Sequence, residues 1–154
     1  MPTKKLKEFL DSHHVKYVSI QHSAAFTAQE VAESTHIPGR YMAKTVIIKV
    51  ENNRFIMVVL PANRKVIITE LREILGLEKA SFATEDEFKS LFPDCELGAM
   101  PPFGNLYDMD VFVSPGIVED DFIIFNAGTH TEAIKMSYRS YEALVKPKVL
   151  SFTT

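Results

Sequence analysis

Three segments of the chain carry residue types suited to binding a small polar ligand. The first centres on Lys44, which stands shortly after the pair Pro38-Gly39 and at the start of an apolar stretch over residues 45–50. A lysine at such a place either lays its stem along the strand to reach solvent, or projects from a rigid strand end to meet an anion. The residue alone leaves both interpretations open.

The second segment is the loop over residues 98–104, which reads Gly-Ala-Met-Pro-Pro-Phe-Gly. Its glycines permit close approach of the backbone and its prolines stiffen it. Such a loop can direct backbone N–H groups at a developing oxyanion, or it can be a tight surface turn. If the backbone does the work, Ala99 and Met100 are expected to tolerate modest changes, whereas Gly98 is not.

The third segment, Asn126-Ala127-Gly128-Thr129-His130, directly follows an apolar strand. Small residues here leave room for a ligand, and the His130 ring offers a polar group. A plain turn at the end of a strand is the alternative explanation.

Sequence patterns that define other catalytic classes do not occur. The chain has no phosphate-binding Gly-x-x-x-x-Gly-Lys-Ser/Thr, no Gly-x-Gly-x-x-Gly, no Gly-x-Ser-x-Gly and no His-Glu-x-x-His. The five histidines are not spaced like metal ligands. The single cysteine, Cys95, lies between Asp94 and Glu96, whose charges raise a thiol pKa. We therefore predict no metal and no cofactor, and a packing role for Cys95.

The composition predicts one cytoplasmic domain over residues 1–154. The chain has 154 residues with no break in composition. Its apolar runs are far shorter than the roughly 18 residues of a membrane span, which argues against a membrane partner. A single cysteine suits a reducing compartment.

Charge limits the kind of nucleic-acid binding that is expected. The net charge of −3 argues against a protein that coats nucleic acid indiscriminately, but it allows a local basic groove. Basic residues cluster in four places: Lys4, Lys5 and Lys7; Arg40, Lys44 and Lys49; Arg64 and Lys65; and Lys146 and Lys148. For most of them, a solvated surface position is the simpler interpretation.

Periodicity and turn signals predict alternating helices and strands with hairpins. Predicted helices span residues 4–14, 28–35, 69–75, 85–91 and 138–145, and predicted strands span 17–20, 45–50, 55–60, 109–113, 122–125, 132–136 and 149–152. This order favours the α/β class of the α+β type, with a central mixed or antiparallel sheet and flanking helices, over a doubly wound parallel sheet.

Taken in order, several short motifs resemble the YbaK/prolyl-tRNA synthetase-associated editing domains, which are aminoacyl-tRNA deacylases. The resemblance extends over residues 6–150. The motifs are His22-Ser23 with Phe26-Thr27, Lys44-Thr45, Leu60-Pro61-Ala62-Asn63-Arg64-Lys65-Val66, Gly98-x-x-x-Pro102 with Phe103-Gly104, and Asn126-Ala127-Gly128. Each motif alone is common, but five in the family's order are much more specific.

The resemblance implies a compact domain with a partly closed sheet that hydrolyses the ester between a small amino acid and the terminal ribose of tRNA. Lys44 matches the family's essential lysine, Gly98 and Pro102 match its substrate-cradling loop, and His130 matches a histidine beside the amino-acid pocket. The further candidate substrate contacts are His22, Phe26, Thr27, Thr45, Met100, Pro101, Phe103 and Gly128. Thr45 departs from members with asparagine there, so the amino acid removed stays open.

The implied mechanism uses neither a metal nor a covalent nucleophile. Backbone N–H groups near Gly98 would stabilise the oxyanion, the neighbouring ribose hydroxyl would orient water, and Lys44 would hold a phosphate or the ribose. A small pocket would admit the smaller, wrong amino acid and exclude the larger, correct one. The implied partners are the aminoacyl-tRNA acceptor end and, as a further candidate, an aminoacyl-tRNA synthetase.

Two other functions fit the same fold. One is a non-catalytic module that binds the tRNA acceptor end, and the other is a regulatory domain that binds a small ligand or a protein partner. Retention of Lys44 and of the loop from Gly98 to Pro102 favours catalysis.

Overall fold

The computed structural model describes residues 4–22, 38–96 and 98–154. The helices are α1 (Lys4–Ser12), α2 (Ile68–Leu75), α3 (Glu85–Phe88), α4 (Pro115–Val118) and α5 (Tyr138–Val145). The strands are β1 (Tyr17–Gln21), β2 (Met42–Val50), β3 (Phe55–Pro61), β4 (Ala80–Phe82), β5 (Val111–Val113), β6 (Phe122–Thr129), β7 (Glu132–Ser137) and β8 (Lys148–Val149). The predicted helix over 28–35, with Phe26 and Thr27 before it, lies outside the described residues.

In the described ranges the strands form one mixed sheet with the order β1-β7-β6-β2-β3-β5-β8, and β4 pairs with β2 beside this path. Hairpins supply the antiparallel pairs β2/β3 and β6/β7, and β1 is antiparallel to β7. Crossovers supply the parallel pairs β2/β6, β3/β5 and β5/β8. The predicted fold class, a mixed sheet with flanking helices, is confirmed.

Alternation along β2 separates the two faces of the sheet. Ala43 and Ile47 belong to the larger core cluster, which α1 and α5 cover through Leu6, Leu10 and Tyr141. The alternate residues Met42, Lys44, Val46 and Ile48 point to the other face. There Ile48 packs in a second core cluster with Leu71 of α2 and with Phe152. A small third cluster contains Met42, Ala62, Ile124 and Ala133.

Local signals explain most helix ends. Thr84 forms a full capping box with Glu87, so α3 begins where the sequence predicts. α3 is only one turn long and continues as a 3₁₀ turn over Lys89–Leu91. Gly76 ends α2 in the left-handed conformation, with φ of 64°. α5 spans the predicted residues, with Ser137 as its N-cap.

Four elements differ from those predicted. β4 was not predicted because it has only three residues. β5 begins at Val111 instead of residue 109, after Asp108 with φ of 56°. The expected turn at Pro115 is the first residue of α4, where proline fits a helix start. The expected last strand over 149–152 is the shorter β8.

Within the described residues, no helix is long and apolar enough to cross a membrane.

Candidate active site

The candidate site lies where β2 loses its neighbour along one edge. β3 accompanies β2 from Ala43 to Lys49. On the other edge, β6 pairs with β2 only at Met42 and Ala43, and β4 pairs only from Ile48 to Val50. The edge between them, over residues 44–46, is open among the described strands. Lys44 is the first residue of this opening.

Lys44 is half-buried and points to the face of the sheet that carries Met42 and Ile48. Burial lowers the pKa of its ammonium group, and the positive charge of Lys65 lowers it further. In the described part of the chain Lys44 forms no ion pair, although four other lysines do. A partly desolvated cation without an acidic partner favours an incoming anion.

Most other basic residues noted in the sequence have structural partners. Lys7 pairs with Glu132 at 2.7 Å and Lys49 with Glu87 at 2.6 Å between nitrogen and oxygen. Lys5 donates to the carbonyl of Leu106. Arg64 donates to the Thr154 carbonyl, Arg40 donates to the Tyr41 hydroxyl, and Lys4 pairs with Glu8. Lys44 and Lys65 are thus the cations most available near the opening.

The loop before Gly98 is clamped to the end of β6 by main-chain bonds. The Glu96 N–H donates to the carbonyl of Gly128 at 2.8 Å, and the Gly128 N–H donates to the carbonyl of Ala99, also at 2.8 Å. The pairing of β6 with β7 shifts register between Asn126 and Thr129, which marks a β-bulge. Gly128 has φ of 96°, a conformation that favours glycine.

Gly98 is exposed and has φ of 85°. The next amide, that of Ala99, is occupied because it donates to the carbonyl of Glu96 at 3.1 Å. Among the described residues, nothing accepts from the Gly98 N–H. An exposed donor on a clamped turn has the properties that an oxyanion-binding group requires.

The loop beyond Gly98 turns into the core. Ala99 and Phe103 have no exposed surface and Met100 is 5% exposed. The burial of Ala99 and Met100 argues against the expectation that they tolerate substitution, because a buried side chain has little room to change. Pro101 and Pro102 are also buried, and the Tyr141 hydroxyl donates to the Pro102 carbonyl at 2.7 Å. The buried residues 99–103 thus hold the loop against the core.

Phe103 is the deepest of these anchors. Its ring lies 5.3 Å from the ring of Tyr141 and 5.4 Å from that of Phe125, between centroids. Gly104 follows it in a crowded position, where a β-carbon would lie 2.6 Å from Val111 and 2.7 Å from the Met109 carbonyl. Phe103 and Gly104 thus hold the loop through packing.

The segment over residues 126–130 is not a turn after a strand, since its first four residues lie inside β6. The bulge lets the strand continue through Gly128. His130 follows in the connection to β7 and is 7% exposed. Its backbone N–H donates to the Glu96 carboxylate at 3.3 Å, so His130 and the clamped loop are adjacent.

The other predicted contacts fall in different places. Thr45 follows Lys44 on β2 and so points to the opposite face, that of Ala43 and Ile47. His22 is half-buried, and its backbone N–H donates to the Thr131 carbonyl beside His130. Phe26 and Thr27 lie outside the described residues.

Cys95 packs near the loop but is a poor nucleophile. Burial is the main cause that raises the pKa of its thiol, to about 12, with the Asp94 carboxylate adding to the effect. Its sulfur lies 3.2 Å from the Tyr107 hydroxyl, which donates to Asp94. In the described ranges, no three His, Cys, Asp or Glu side chains converge as metal ligands.

Sequence reasoning gave no role to the side chain of Asn126, which is 5% exposed and lies next to the opening. It also missed Glu96, whose position follows from the clamp rather than from any motif. Of the two larger cavities that the structure describes, the one of about 510 Å³ is lined by Val50 at the far end of β2, and the one of about 380 Å³ lies between β5 and the end of α5. Lys44 lines neither of them.

The fold defines a known class of small mixed-sheet domains. Hypothetical protein APE2540 superposes with a TM-score of 0.87 at 16% identity, over 98% of this chain and 100% of that chain. A crystal structure described as that of a candidate trans-editing enzyme for prolyl tRNA synthetase superposes with a TM-score of 0.83 at 16% identity, over 99% and 97% of the two chains.

The sequence assigns the chain to a family within this class. Residues 22–144 match the aminoacyl-tRNA editing domain. Prolyl-tRNA editing protein ProX of Acetoanaerobium sticklandii is 24% identical over 142 residues, which cover 89% of this chain and 86% of that protein. The chain belongs to the aminoacyl-tRNA editing domain family, and the resemblance inferred from its motifs is confirmed.

Proposed function

We propose that this chain is a trans-editing deacylase, which hydrolyses the ester between a small, wrongly attached amino acid and the 3′-terminal ribose of a tRNA. The observation that carries the proposal is the half-buried Lys44, which has no acidic partner among the described residues and faces the opening between β2 and β6. The family and the name of the similar ProX protein support tRNA for proline as the first substrate to test.

Lys44 binds the anionic part of the substrate. Its ammonium group holds the terminal phosphate or the ribose, and Lys65 adds positive potential at the same opening. This contact fixes the position of the ester relative to the loop, which lowers the entropic part of the barrier. Since the main-chain clamp holds the loop rigidly, the two binding elements keep a constant separation.

The Gly98 amide stabilises the charge that develops during hydrolysis. Water attacks the ester carbonyl, and the carbonyl oxygen becomes an oxyanion that accepts from the Gly98 N–H. The ribose hydroxyl next to the ester orients the water and relays its proton to the leaving ribose oxygen. Collapse of the intermediate breaks the bond between carbonyl carbon and ribose oxygen, and it releases the free amino acid and the uncharged tRNA.

Selection by size fits the dense packing behind the loop. Met100, Pro101, Pro102 and Phe103 are all buried, so the floor of the site has little freedom to expand. We propose that the site accepts amino acids of the alanine, serine or cysteine class and excludes proline, as the second sieve of an editing pair. His130, His22 and Gly128 lie around the same clamp and complete the proposed substrate contacts.

The test is a panel of tRNAs for proline charged with alanine, serine, cysteine or proline, incubated with the whole chain. We expect release of at least one small amino acid and retention of proline. The Lys49→Met variant is a matched control because Lys49 lies on the same strand in an ion pair with Glu87. Binding of the tRNA without turnover would instead support an acceptor-end binding module, and neither binding nor turnover would support a regulatory domain.

A further inference from the structure

Asn126 has a buried acceptor that the fold does not use. The residue is 5% exposed, and its Oδ1 atom has no hydrogen-bond partner among the described residues. Nearly all buried side-chain polar atoms in proteins are paired, because removing such an atom from water without a new partner is costly. An unmet acceptor inside a binding region therefore points to a ligand that supplies the donor.

The position of Asn126 connects it to Lys44. β2 and β6 pair in parallel at Met42 with Ile124 and at Ala43 with Phe125. The next pair in this register is Lys44 with Asn126, at the point where the strands separate. Both residues stand one step beyond Ala43 and Phe125, so their side chains share the face opposite to these core residues.

A comparable buried polar atom without a partner among the described residues lies away from the proposed site. It is the Ser114 hydroxyl, on a residue that is 1% exposed and directly follows β5. No part of the proposed site lies at Ser114. Asn126, in contrast, lies beside Lys44 and one residue before the bulge. Its unpartnered side-chain carbonyl is therefore placed to bind a ligand in the proposed site.

The substrate offers one group that the proposed site otherwise leaves unmatched. An aminoacyl ester carries an α-ammonium group next to its carbonyl carbon. Lys44 and the Gly98 amide only donate, so neither can bind an ammonium group. A carboxylate at position 126 would form an ion pair with Lys44, and the lysine would then bind the substrate phosphate less strongly. A neutral amide accepts from an ammonium group without that competition.

We propose that the side-chain carbonyl of Asn126 accepts a hydrogen bond from the α-ammonium group of the aminoacyl ester. This inference rests on the proposed function. It makes Asn126 a residue that selects esters of α-amino acids and places their carbonyl against Gly98. Esters in which a hydroxyl replaces the amino group lose a charge-assisted bond.

Binding of stable mimics tests the contact separately from catalysis. The probes are two short RNAs ending in cytidine-cytidine-3′-amino-3′-deoxyadenosine, one acylated with alanine and the other with lactic acid. Their amide linkage resists hydrolysis. We expect the wild-type chain to bind the alanyl mimic roughly 10- to 100-fold more tightly than the lactyl mimic, the range of a hydrogen bond to a charged group. In Asn126→Ala this preference should fall to near one.

Two further variants complete the test. Asn126→Asp retains an acceptor and should keep the preference for the alanyl mimic, while its carboxylate pairs with Lys44 and slows hydrolysis of alanyl-tRNA. Ser114→Ala removes an equally buried and unpartnered polar atom, and it should leave the preference unchanged. Thermal unfolding of each variant checks that it is folded.

The outcomes separate this inference from the proposed function. If Asn126 only orients the Lys44 ammonium group, Asn126→Ala weakens both mimics equally, and the inference is overturned. Equal binding of the two mimics by the wild-type chain, or no binding of either, also overturns it. If the alanyl preference depends on Asn126 but no charged tRNA is hydrolysed, the contact stands and the deacylase activity does not.

Discussion

Two lysines of β2 differ in their surroundings: one forms an ion pair, and the other lies at the opening proposed as the binding site. Lys49 lies beside the pairing with β4, and its ammonium group contacts the Glu87 carboxylate at 2.6 Å. Lys44 lies at the open edge, where burial and Lys65 lower the pKa of its ammonium group. The fold thus gives Lys49 an acidic partner. It partly buries the Lys44 ammonium group without such a partner among the described residues.

The difference between the two lysines shows what the neighbouring strands add to the sequence motif in identifying a candidate binding site. Each lysine is half-buried on a regular strand and each follows a β-branched or small residue, so local sequence does not separate them. What separates them is the neighbouring strand. Glu87, which the capping box with Thr84 holds in place, forms an ion pair with Lys49. Near Lys44, β6 separates from β2 and leaves the lysine facing an opening. An unpaired charge at a gap in a sheet marks a candidate binding site, and this is the basis of the proposal for Lys44.

The largest expected effect is on catalysis by Lys44→Met. This substitution keeps the length of the side chain and removes its charge, so we expect deacylation to slow by about 2–4 kcal/mol of transition-state free energy. The melting temperature should rise slightly, because a cation that burial disfavours has been removed. Single-turnover hydrolysis and thermal unfolding measure the two effects. Full activity in this variant would sink the proposed mechanism.

A smaller effect on catalysis is expected for Gly98→Ala. The left-handed φ of 85° costs an alanine about 1–2 kcal/mol, and its methyl group crowds the exposed amide. We expect hydrolysis to slow by roughly 10- to 100-fold, more than the loss of stability explains. The matched control is Gly76→Ala, which carries similar strain at φ of 64° with nothing within 4 Å. If both variants lose stability and neither loses activity, the loop has a structural role only.

The ion pair at the other end of β2 should affect stability rather than activity. The hydrogen bond from Lys49 is the main cause that lowers the pKa of Glu87, from 4.5 to about 2. Because the folded pKa is the lower one, the stabilisation is fully present above pH 4.5 and disappears as the pH falls towards 2. Glu87→Gln should therefore melt below the wild type at pH 7, and the difference should vanish near pH 2.

The control for this pH dependence is Glu85→Gln, which changes the same helix at a residue outside the ion pair. Its melting temperature should differ less from that of the wild type at pH 7. A Glu87→Gln variant that melts at the wild-type temperature at pH 7 would show that the ion pair contributes nothing measurable, as is common for exposed pairs.

The smallest expected effect is that of a chelator. The described residues bring no three metal-ligating side chains together, and the proposed mechanism relies on Lys44 and a backbone amide. Hydrolysis should therefore survive prolonged treatment with EDTA at its original rate. Loss of activity that zinc restores would contradict this mechanism and would locate the metal in a part of the site built by other residues.

Elements with strong local signals could be predicted from the sequence. The capping box at Thr84, the glycine stop at Gly76 and the helix from Tyr138 each depend on residues within one turn of the chain. The hairpin of β2 and β3 was also predicted, because β-branched residues flank a pair of asparagines. Such features form wherever the same short sequence occurs, since their energies are local.

The geometry of the site depends on distant contacts, which short patterns do not encode. Lys44 and Gly98 were singled out from the sequence, but the clamp joins residues 96–99 to Gly128 across about 30 positions of the chain. β6 extends beyond its apolar residues, since Asn126 pairs with Ala133 and the bulge carries the strand on to Thr129. Asn126 is therefore part of a strand and not of a turn. The burial of Met100 likewise follows from packing in the larger core cluster, which several elements form.

The clamp between Gly128 and the loop has a consequence for evolution. Its bonds run between main-chain groups, and every amino acid except proline carries both groups. Side chains that line the opening without packing beneath the loop can therefore change over generations without moving the Gly98 amide. Under the proposed function, a lineage with this architecture can alter which amino acid it removes by changing those side chains, while the amide proposed to stabilise the oxyanion is inherited with the backbone.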